Sequence, residues 1–295
     1  MVSNNVNQSV WGQRLRSTAA ALTHNRRLMI GLALLLALIA VGVLGPLFVD
    51  VETAQPISVP TNLPPSAEFP LGTDSGGRNL LAVIVVGTPQ TLRLGLIAAL
   101  VGIFLGTAAG LAAGFYGGKV DNIVRSIVDT MLTIPALAIL LVVAASLRTM
   151  SVEMMALIVA SLAWMPSART VRAQVLTLKE RPYVQMSRLS GLSAPRIIVE
   201  DILPGLMPYI AASFVGACAG AILASIGLEM LGLGPQRTPT LGMTIYWSML
   251  YSALIRGMWW WWLPPIIVLM LLFVSLFLIT TALDEIANPR LQRSA

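Results

Sequence analysis

The stretch RTVRAQVLTLKERPYVQMSRLSGLSAPRIIVED, residues 169–201, decides how this chain is organised. It contains six of the nineteen basic residues of the chain, and long apolar runs stand on both sides of it. In membrane proteins, basic residues concentrate in the loops that face the cytoplasm. The stretch therefore predicts a cytoplasmic loop with a docking surface, set within a membrane protein.

The overall composition supports this interpretation. Of the 295 residues, 56% are hydrophobic and only 11% are charged, and the mean hydropathy is +0.81. A globular domain usually has about a quarter of its residues charged. The net charge of +6 could suggest nucleic acid, but the basic residues stand at the ends of apolar runs, a pattern that favours a membrane. We expect contact with lipid and no nucleic-acid partner.

Two residue types limit the chemistry of the chain. Cys218 is the only cysteine, so a disulfide framework or a cysteine metal site within the chain is excluded. His24 is the only histidine, which leaves a histidine metal site or a catalytic triad without a second member. We expect no catalytic, cofactor-binding or metal-binding residue.

Apolar runs long enough to cross a bilayer, which takes about 20 residues, recur along the chain. They occupy residues 28–49, 91–115, 123–147, 152–176, 206–233 and 263–283. Arg26 and Arg27 precede the first run and place the amino terminus in the cytoplasm. An even number of crossings returns the carboxyl terminus to the same side. The predicted fold class is an all-α polytopic membrane protein with six transmembrane helices.

The runs divide the chain into segments. We predict a cytoplasmic tail (1–27), a first transmembrane helix (28–49), an outer loop (50–90), a five-helix core (91–283) with a cytoplasmic loop (177–204) and an outer loop (229–262), and a cytoplasmic tail (284–295). Apolar residues at helical spacing in the first tail favour a surface helix, with disorder as the alternative; they are Trp11, Leu15, Ala19 and Leu22.

Two runs carry small residues at every fourth position, which lets a neighbouring helix approach closely. These residues are Gly102, Gly106, Gly110 and Gly114 in the second run, and Ala212, Gly216, Gly220 and Ala224 in the fifth. We expect both sets to pack against other helices. The four tryptophans at 259–262 are interpreted as an interfacial anchor, with a ligand-stacking platform as the alternative.

Polar and helix-breaking residues also occur in or near the crossings, where they mark a pathway or a helix contact. They are Asp129, Pro135, Glu153, Pro166 and Glu229. For each one, a structural role such as pairing or end-capping is the favoured interpretation.

The charged loop should contain two short helices. Pro182 suits the first position of a helix, and Gly191 can end that helix in a left-handed conformation. Ser193 and Pro195 start a second helix, and Pro204 is expected to interrupt it before the fifth crossing. We predict a compact knob; the alternative is an ordinary amphipathic loop that stabilises its own bundle.

The residues of this knob resemble a known motif. YVQMSRLSG at 183–191, RII at 196–198 and ILP at 202–204 are similar to the Glu-Ala-Ala-x-x-x-Gly…Ile-x-Leu-Pro motif of ABC-importer permeases. The chain resembles the dipeptide/oligopeptide/nickel family, on its C-type second-permease side. Further matches stand in order at 71–78, 113–118 with Asp121, 134–135, 169–178, 231–234 and 288–291.

The resemblance implies a type I ABC-importer permease fold with cytoplasmic coupling helices. It assigns an ATPase-coupling role to Tyr183, Gln185, Met186, Ser187, Arg188, Gly191, Arg196, Ile202 and Pro204, and a loop facing a binding protein to Gly72, Thr73, Asp74 and Arg78. Gln-Met-Ser replaces the Glu-Ala-Ala of the family, so the usual carboxylate is absent, although Gln185 can still form hydrogen bonds. Ser225 stands where many relatives have glutamate, and Glu229 lies one turn later.

The resemblance implies a permease subunit of an ATP-driven importer for di- or oligopeptides. This subunit would form half of the translocation pathway, in a bacterial or archaeal cytoplasmic membrane. The implied partners are a homologous second permease, one or two ATPase subunits and an external solute-binding protein. The chain has no Walker lysine loop, so ATP and Mg²⁺ are expected in the ATPase subunits. Nickel chelates, glutathione-like compounds and oligosaccharides are alternative solutes. An ion-driven secondary transporter and a membrane-embedded hydrolase are the competing classes.

Overall fold

Helices make up most of this computed structural model, which describes residues 25–287. They are α1 (Arg26–Leu44), α2 (Leu80–Tyr116), α3 (Gly118–Thr133), α4 (Ala136–Ala145), α5 (Val152–Leu178), α6 (Pro182–Leu189), α7 (Ala194–Ile197), α8 (Leu203–Met230), α9 (Leu241–Leu250) and α10 (Trp259–Ala287). Five of the described helical runs are long and apolar enough to cross a membrane, and the count is six when the bent pair α3 and α4 is taken as one span. The all-α membrane fold is confirmed. The predicted surface helix in residues 1–24 and the tail at 288–295 lie outside the described residues.

The second crossing starts earlier than predicted, so the outer loop assigned to 50–90 is wrong for its last eleven residues. The side chain of Asn79 accepts a hydrogen bond from the Leu81 backbone N–H at 3.1 Å and caps the helix. Pro89 lies within α2. It removes one backbone donor, which a helix this long tolerates when a neighbour packs beside it. Here Gly42 of α1 lies directly against the Pro89 ring.

The third crossing is broken rather than continuous over 123–147. The axes of α3 and α4 differ by 83°, and the break falls at Ile134 and Pro135, where Ile134 is extended with ψ of 132°. Proline disfavours the helical conformation in the residue before it, which explains the position of the break. Gly117, with φ of +66°, separates α2 from α3, and Gly118, with φ of +53°, is the first residue of α3. Helix α3 is therefore bounded by a break at each end.

The fifth crossing is continuous with the second short helix of the knob, so the interruption predicted at Pro204 is wrong. A wide π turn at Ile198–Ile202 joins α7 to α8, and the Leu203 N–H donates to the Ile198 carbonyl five residues back. Pro204 has no N–H to give to the Glu200 carbonyl. The wider turn accommodates this missing donor, and the helical run continues.

Close contact between α2 and α5 organises the bundle. An added Cβ at any of the four periodic glycines of α2 would lie 2.5 to 2.9 Å from the nearest α5 atom, which is closer than packed atoms allow. The glycines are Gly102, Gly106, Gly110 and Gly114. On the other side of the bundle α1 packs on α10, where the Ser275 hydroxyl donates to the Gly31 carbonyl at 2.8 Å.

Each acidic residue singled out in the crossings has a polar partner, as a structural role requires. The contacts are 3.3 and 3.5 Å for Asp129 with Arg125 and Arg169, 2.8 Å for Glu153 with Arg93, and 2.9 Å for Glu229 with Thr240.

Candidate functional site

The charged loop folds as a knob, residues 179–206, at the ends of α2 and α5. Helix α6 has Pro182 in its first turn. Two hydrogen bonds from residues just beyond the helix to carbonyls of its last turn close its end. The Leu192 N–H donates to the Ser187 carbonyl at 3.2 Å, and the Gly191 N–H donates to the Arg188 carbonyl at 3.0 Å. Gly191 has φ of +76°. This pattern is a Schellman cap, which glycine forms without steric cost.

Apolar side chains hold the knob to the bundle. Val184 of α6 is fully buried and packs with Ile197, Ile202 and Leu206. Val175, near the end of α5, belongs to the same cluster. Each buried aliphatic side chain contributes roughly 1.5 to 3 kcal/mol, so the knob is a fixed part of the fold.

Polar contacts reinforce the attachment. The Lys179 ammonium donates to the Gly114 carbonyl at 3.0 Å, and the Arg188 guanidinium lies over the Phe115 ring, 5.3 Å from its centroid. Gln185, which stands in place of the family's glutamate, donates to the Lys179 carbonyl at 3.3 Å. Its amide is therefore used within the knob.

The outer surface of the knob is apolar and open. Met186 is 68% exposed and Leu189 is 85% exposed, and Tyr183 is half exposed beside them. An amphipathic loop that only stabilised its own bundle would bury this side of α6. Exposed apolar patches of this kind are typical of surfaces that contact another protein or a membrane.

The other predicted coupling residues divide between surface and interior. Arg188, Gly191, Arg196 and Pro204 are exposed, Gln185 and Ser187 are half-buried, and Ile202 is buried. Arg196 pairs with Glu200 one turn away at 2.9 Å. Only part of the predicted set is therefore on the surface, and Ile202 belongs to the core beneath it.

A groove of about 410 Å³ runs between the bent pair, α5 and α8. Small and aliphatic side chains line it, and the polar ones are the hydroxyls of Ser167, Thr170 and Ser213. Every lining residue in the described part of the chain is uncharged. Pro166 of α5 also lines the groove, so one of the two helix-breaking prolines noted in or near the crossings lies on its wall.

The small residues of α8 form part of this groove. Gly216 and Gly220 have no described atom within 4 Å of an added Cβ, whereas the glycines of α2 are in tight contact. The α2 set therefore packs within the chain as expected, and the packing of the α8 set against another helix stays a prediction. The periodic spacing is the same, but the α8 face is open and accessible.

The outer-loop motif at 71–78 is folded inward. Thr73 and Asp74 are almost completely buried, and Gly72 is buried against Trp260. The Asp74 carboxylate accepts the backbone N–H groups of Gly76 and Arg78 at 2.8 and 2.9 Å. Burial raises the pKa of Asp74, although these hydrogen bonds and the Arg78 charge oppose the shift. Thr73 and Asp74 therefore maintain the shape of the loop, and the contact of this loop with a binding protein stays a prediction.

The tryptophan run belongs largely to the same outer structure. Trp261 is buried and stacks on Tyr251, with ring centroids 5.9 Å apart, and only Trp259 is exposed. The interfacial-anchor interpretation is therefore wrong for Trp261. Arg256 donates to the Ser75 hydroxyl at 3.0 Å and joins the two outer segments.

Comparison with known proteins agrees with this architecture. Residues 102–293 match the family described as binding-protein-dependent transport system inner membrane component. The dipeptide transport system permease protein DppC of Bacillus subtilis is 31% identical over 273 residues, which cover 92% of this chain and 84% of the relative. The oligopeptide transport system permease protein OppC of Mycobacterium bovis is 29% identical over 174 residues, 59% of this chain and 60% of the relative.

A protein of Brucella abortus, provisionally named a peptide transport system permease protein, is 31% identical over 281 residues, 93% of this chain and 92% of the relative. A relative of this identity and coverage, together with a family match over most of the chain, establishes membership. The chain belongs to the family of inner membrane permease components of binding-protein-dependent transport systems.

Proposed function

We propose that this chain is one of two permease subunits of an ATP-driven importer for di- or oligopeptides. The observation that carries the proposal is the placement of two surfaces on one helix: the open groove that α5 forms with α8, and the exposed knob at the end of α5. A conduit that is driven by another subunit needs both surfaces.

The groove supports the assignment as half of a pathway. A volume of about 410 Å³ lies in the range of small-ligand sites, roughly 300 to 1,000 Å³. Hydroxyl and small apolar side chains contact a backbone without selecting particular side chains, which suits peptides of varied sequence. The relatives named as peptide permeases favour this solute class. A homologous second permease would cover the open face of α8, as close packing of small residues allows.

The knob supports coupling to an ATPase. Met186 and Leu189 supply an apolar contact surface, and one or two ATPase chains would bind ATP and Mg²⁺ and move the knob. The knob and both termini would then lie in the cytoplasm, and the outer segments around Asp74 and Arg256 would meet a solute-binding protein.

The test is ATP-dependent uptake by the complete importer in proteoliposomes. We expect di- and tripeptides to accumulate only with ATP and with the binding protein present. A complex without the binding protein is the control. Uptake of a nickel chelate, glutathione or an oligosaccharide in preference to peptides would reassign the solute, and uptake driven by an ion gradient without ATP would refute the importer class.

A further inference from the structure

A second, polar cavity of about 260 Å³ lies between α3 and α5. Three arginines line it, Arg125 from α3 and Arg169 and Arg172 from α5, together with Asp129. Arginines on two helices therefore face one space. The family comparison assigns no role to this cavity.

The cavity continues the transport groove towards the knob. On α5, Met165 lines the groove and Arg169, one turn later, lines the polar cavity. On α3, Leu132 lines the groove and Asp129, one turn earlier, lines the cavity. Because residues one turn apart are neighbours on a helix surface, a solute that leaves the groove on this side meets the arginines next.

The three arginines differ in how closely their charges are paired with carboxylates. Arg172 makes a bidentate contact with Asp121, with the Nη2 to Oδ2 distance at 2.6 Å. The Arg125 Nε donates to Asp129 at 3.3 Å. The Arg169 guanidinium is 3.5 Å from the nearest Asp129 oxygen and is 65% exposed, and it donates no hydrogen bond within residues 25–287. Three guanidinium groups against two carboxylates leave one net positive charge, which is located mainly on Arg169.

We propose that Arg169 binds the carboxylate end of a peptide substrate as the peptide leaves the groove. The inference rests on the proposed function, since it names a feature that peptides share whatever their side chains. The planar guanidinium matches a carboxylate through two parallel hydrogen bonds. Because the groove lining is uncharged, this cavity is the first place along the described wall where the charged end of a peptide finds a fixed opposite charge.

Two substitutions separate this role from simple ion pairing. Arg169→Gln and Asp129→Asn break the same Arg169–Asp129 contact, but the first lowers the positive charge of the cavity and the second raises it. The probes are trialanine and trialanine amide, which differ in the terminal carboxylate, and each is used at a concentration that saturates the binding protein. The measured quantity is the ratio of the initial uptake rate of the acid to that of the amide by the complete importer in vesicles.

We expect Arg169→Gln to lower this ratio by roughly two- to fivefold, the range for a half-exposed charge pair, and Asp129→Asn to keep or raise it. Equal losses for both peptides in both variants would show a structural ion pair and overturn the proposal. A loss in Arg169→Gln that affects both peptides alike and disappears in vesicles without anionic lipid would assign the cavity to a lipid phosphate and also overturn it. Absence of ATP-dependent uptake of either peptide by the parent complex would instead refute the proposed function.

Discussion

The ammonium group of Lys179 donates a hydrogen bond to the backbone carbonyl of Gly114 at 3.0 Å. Gly114 is the last of the four glycines through which α2 contacts α5, and Lys179 directly follows the end of α5. The knob is therefore attached to two helices that are already locked together. Because α5 also forms a wall of the groove, a displacement of the knob by a partner would move that wall with it.

The glycine contact between α2 and α5 can be tested by comparing two separate glycine-to-alanine variants, one in the contact and one outside it. Gly110→Ala places a Cβ 2.7 Å from the Ala168 carbonyl oxygen, and such overpacking costs about 1 to 3 kcal/mol. Gly220→Ala places the same atom in open space. We expect the thermal midpoint of the detergent-solubilised chain to fall for Gly110→Ala only.

We expect the matched control to keep or gain stability, because alanine is favoured over glycine in a helix by up to about 1 kcal/mol. Equal midpoints for the two variants would contradict the close packing of α2 on α5. A drop for Gly220→Ala in the isolated chain would contradict the open face of α8.

The bidentate pair between Asp121 and Arg172 should hold α3 against α5. Breaks at both ends of α3 leave this helix dependent on such contacts. We expect Asp121→Arg or Arg172→Asp alone to increase proteolysis at Gly117 and Gly118, and the double exchange to restore protection. The coupling should be roughly 1 kcal/mol. If proteolysis of the double variant equals the sum of the increases in the two single variants, the pair does not position α3.

Asp74 should make the stability of the outer loop depend on pH. Its pKa is raised by burial, so the folded loop binds a proton more tightly than the unfolded chain does. The stability from this group is therefore present at low pH and is lost as the pH rises through the raised pKa. Asp74→Asn keeps an acceptor for Gly76 and Arg78 but has no charge to bury.

Protease resistance of the outer loop, compared between parent and Asp74→Asn across a pH series, measures this effect. We expect the parent to lose resistance relative to the variant as the pH rises. Asp74→Ala, which removes both hydrogen bonds, should cost about 1 to 3 kcal/mol at every pH. A parent and an Asn variant with parallel pH profiles would show that the net pKa of this carboxyl is not raised in the folded loop.

Local features of the knob could be predicted from the sequence because they depend on nearby residues. Pro182 suits a helix start and Gly191 suits a left-handed end, and both occur where expected. The position of the third crossing was also visible, but its 83° break was not. A proline in an apolar run can kink a helix or end it, and the surrounding packing decides between the two outcomes.

Features that depend on distant contacts could not be predicted. Gly110 and Gly220 belong to the same kind of periodic pattern, yet one is packed and the other is open. Spacing shows that a helix face is smooth, but it does not say which chain covers it. In the same way the motif around Asp74 looks like a polar surface loop, and only its hydrogen bonds to Gly76 and Arg78 show that it is folded inward.

The left-handed cap of the knob predicts a difference between two substitutions at Gly191. An added Cβ there meets no described atom within 4 Å, so any effect comes from the backbone conformation. Valine disfavours φ of +76° by about 1 to 2 kcal/mol, whereas asparagine adopts it more readily. We expect Gly191→Val to lose uptake and to bind the ATPase subunits weakly while inserting normally, and Gly191→Asn to retain most of both. Equal uptake by Gly191→Val and the parent would show that the cap is not needed for coupling.

The central claim is that the exposed face of α6 couples this chain to an ATPase subunit. The most direct test measures how strongly the binding protein stimulates ATP hydrolysis, in vesicles, by a complete importer whose permease carries Leu189→Asp. Leu189 is 85% exposed, so the charge disturbs nothing inside this chain, and normal insertion and thermal midpoint provide the internal control. At a docking surface, an unpaired carboxylate in place of leucine should lower the stimulated rate by about tenfold or more, while the unstimulated hydrolysis of the ATPase subunits remains. Stimulation equal to that of the parent, in a complex that inserts normally, would contradict the account.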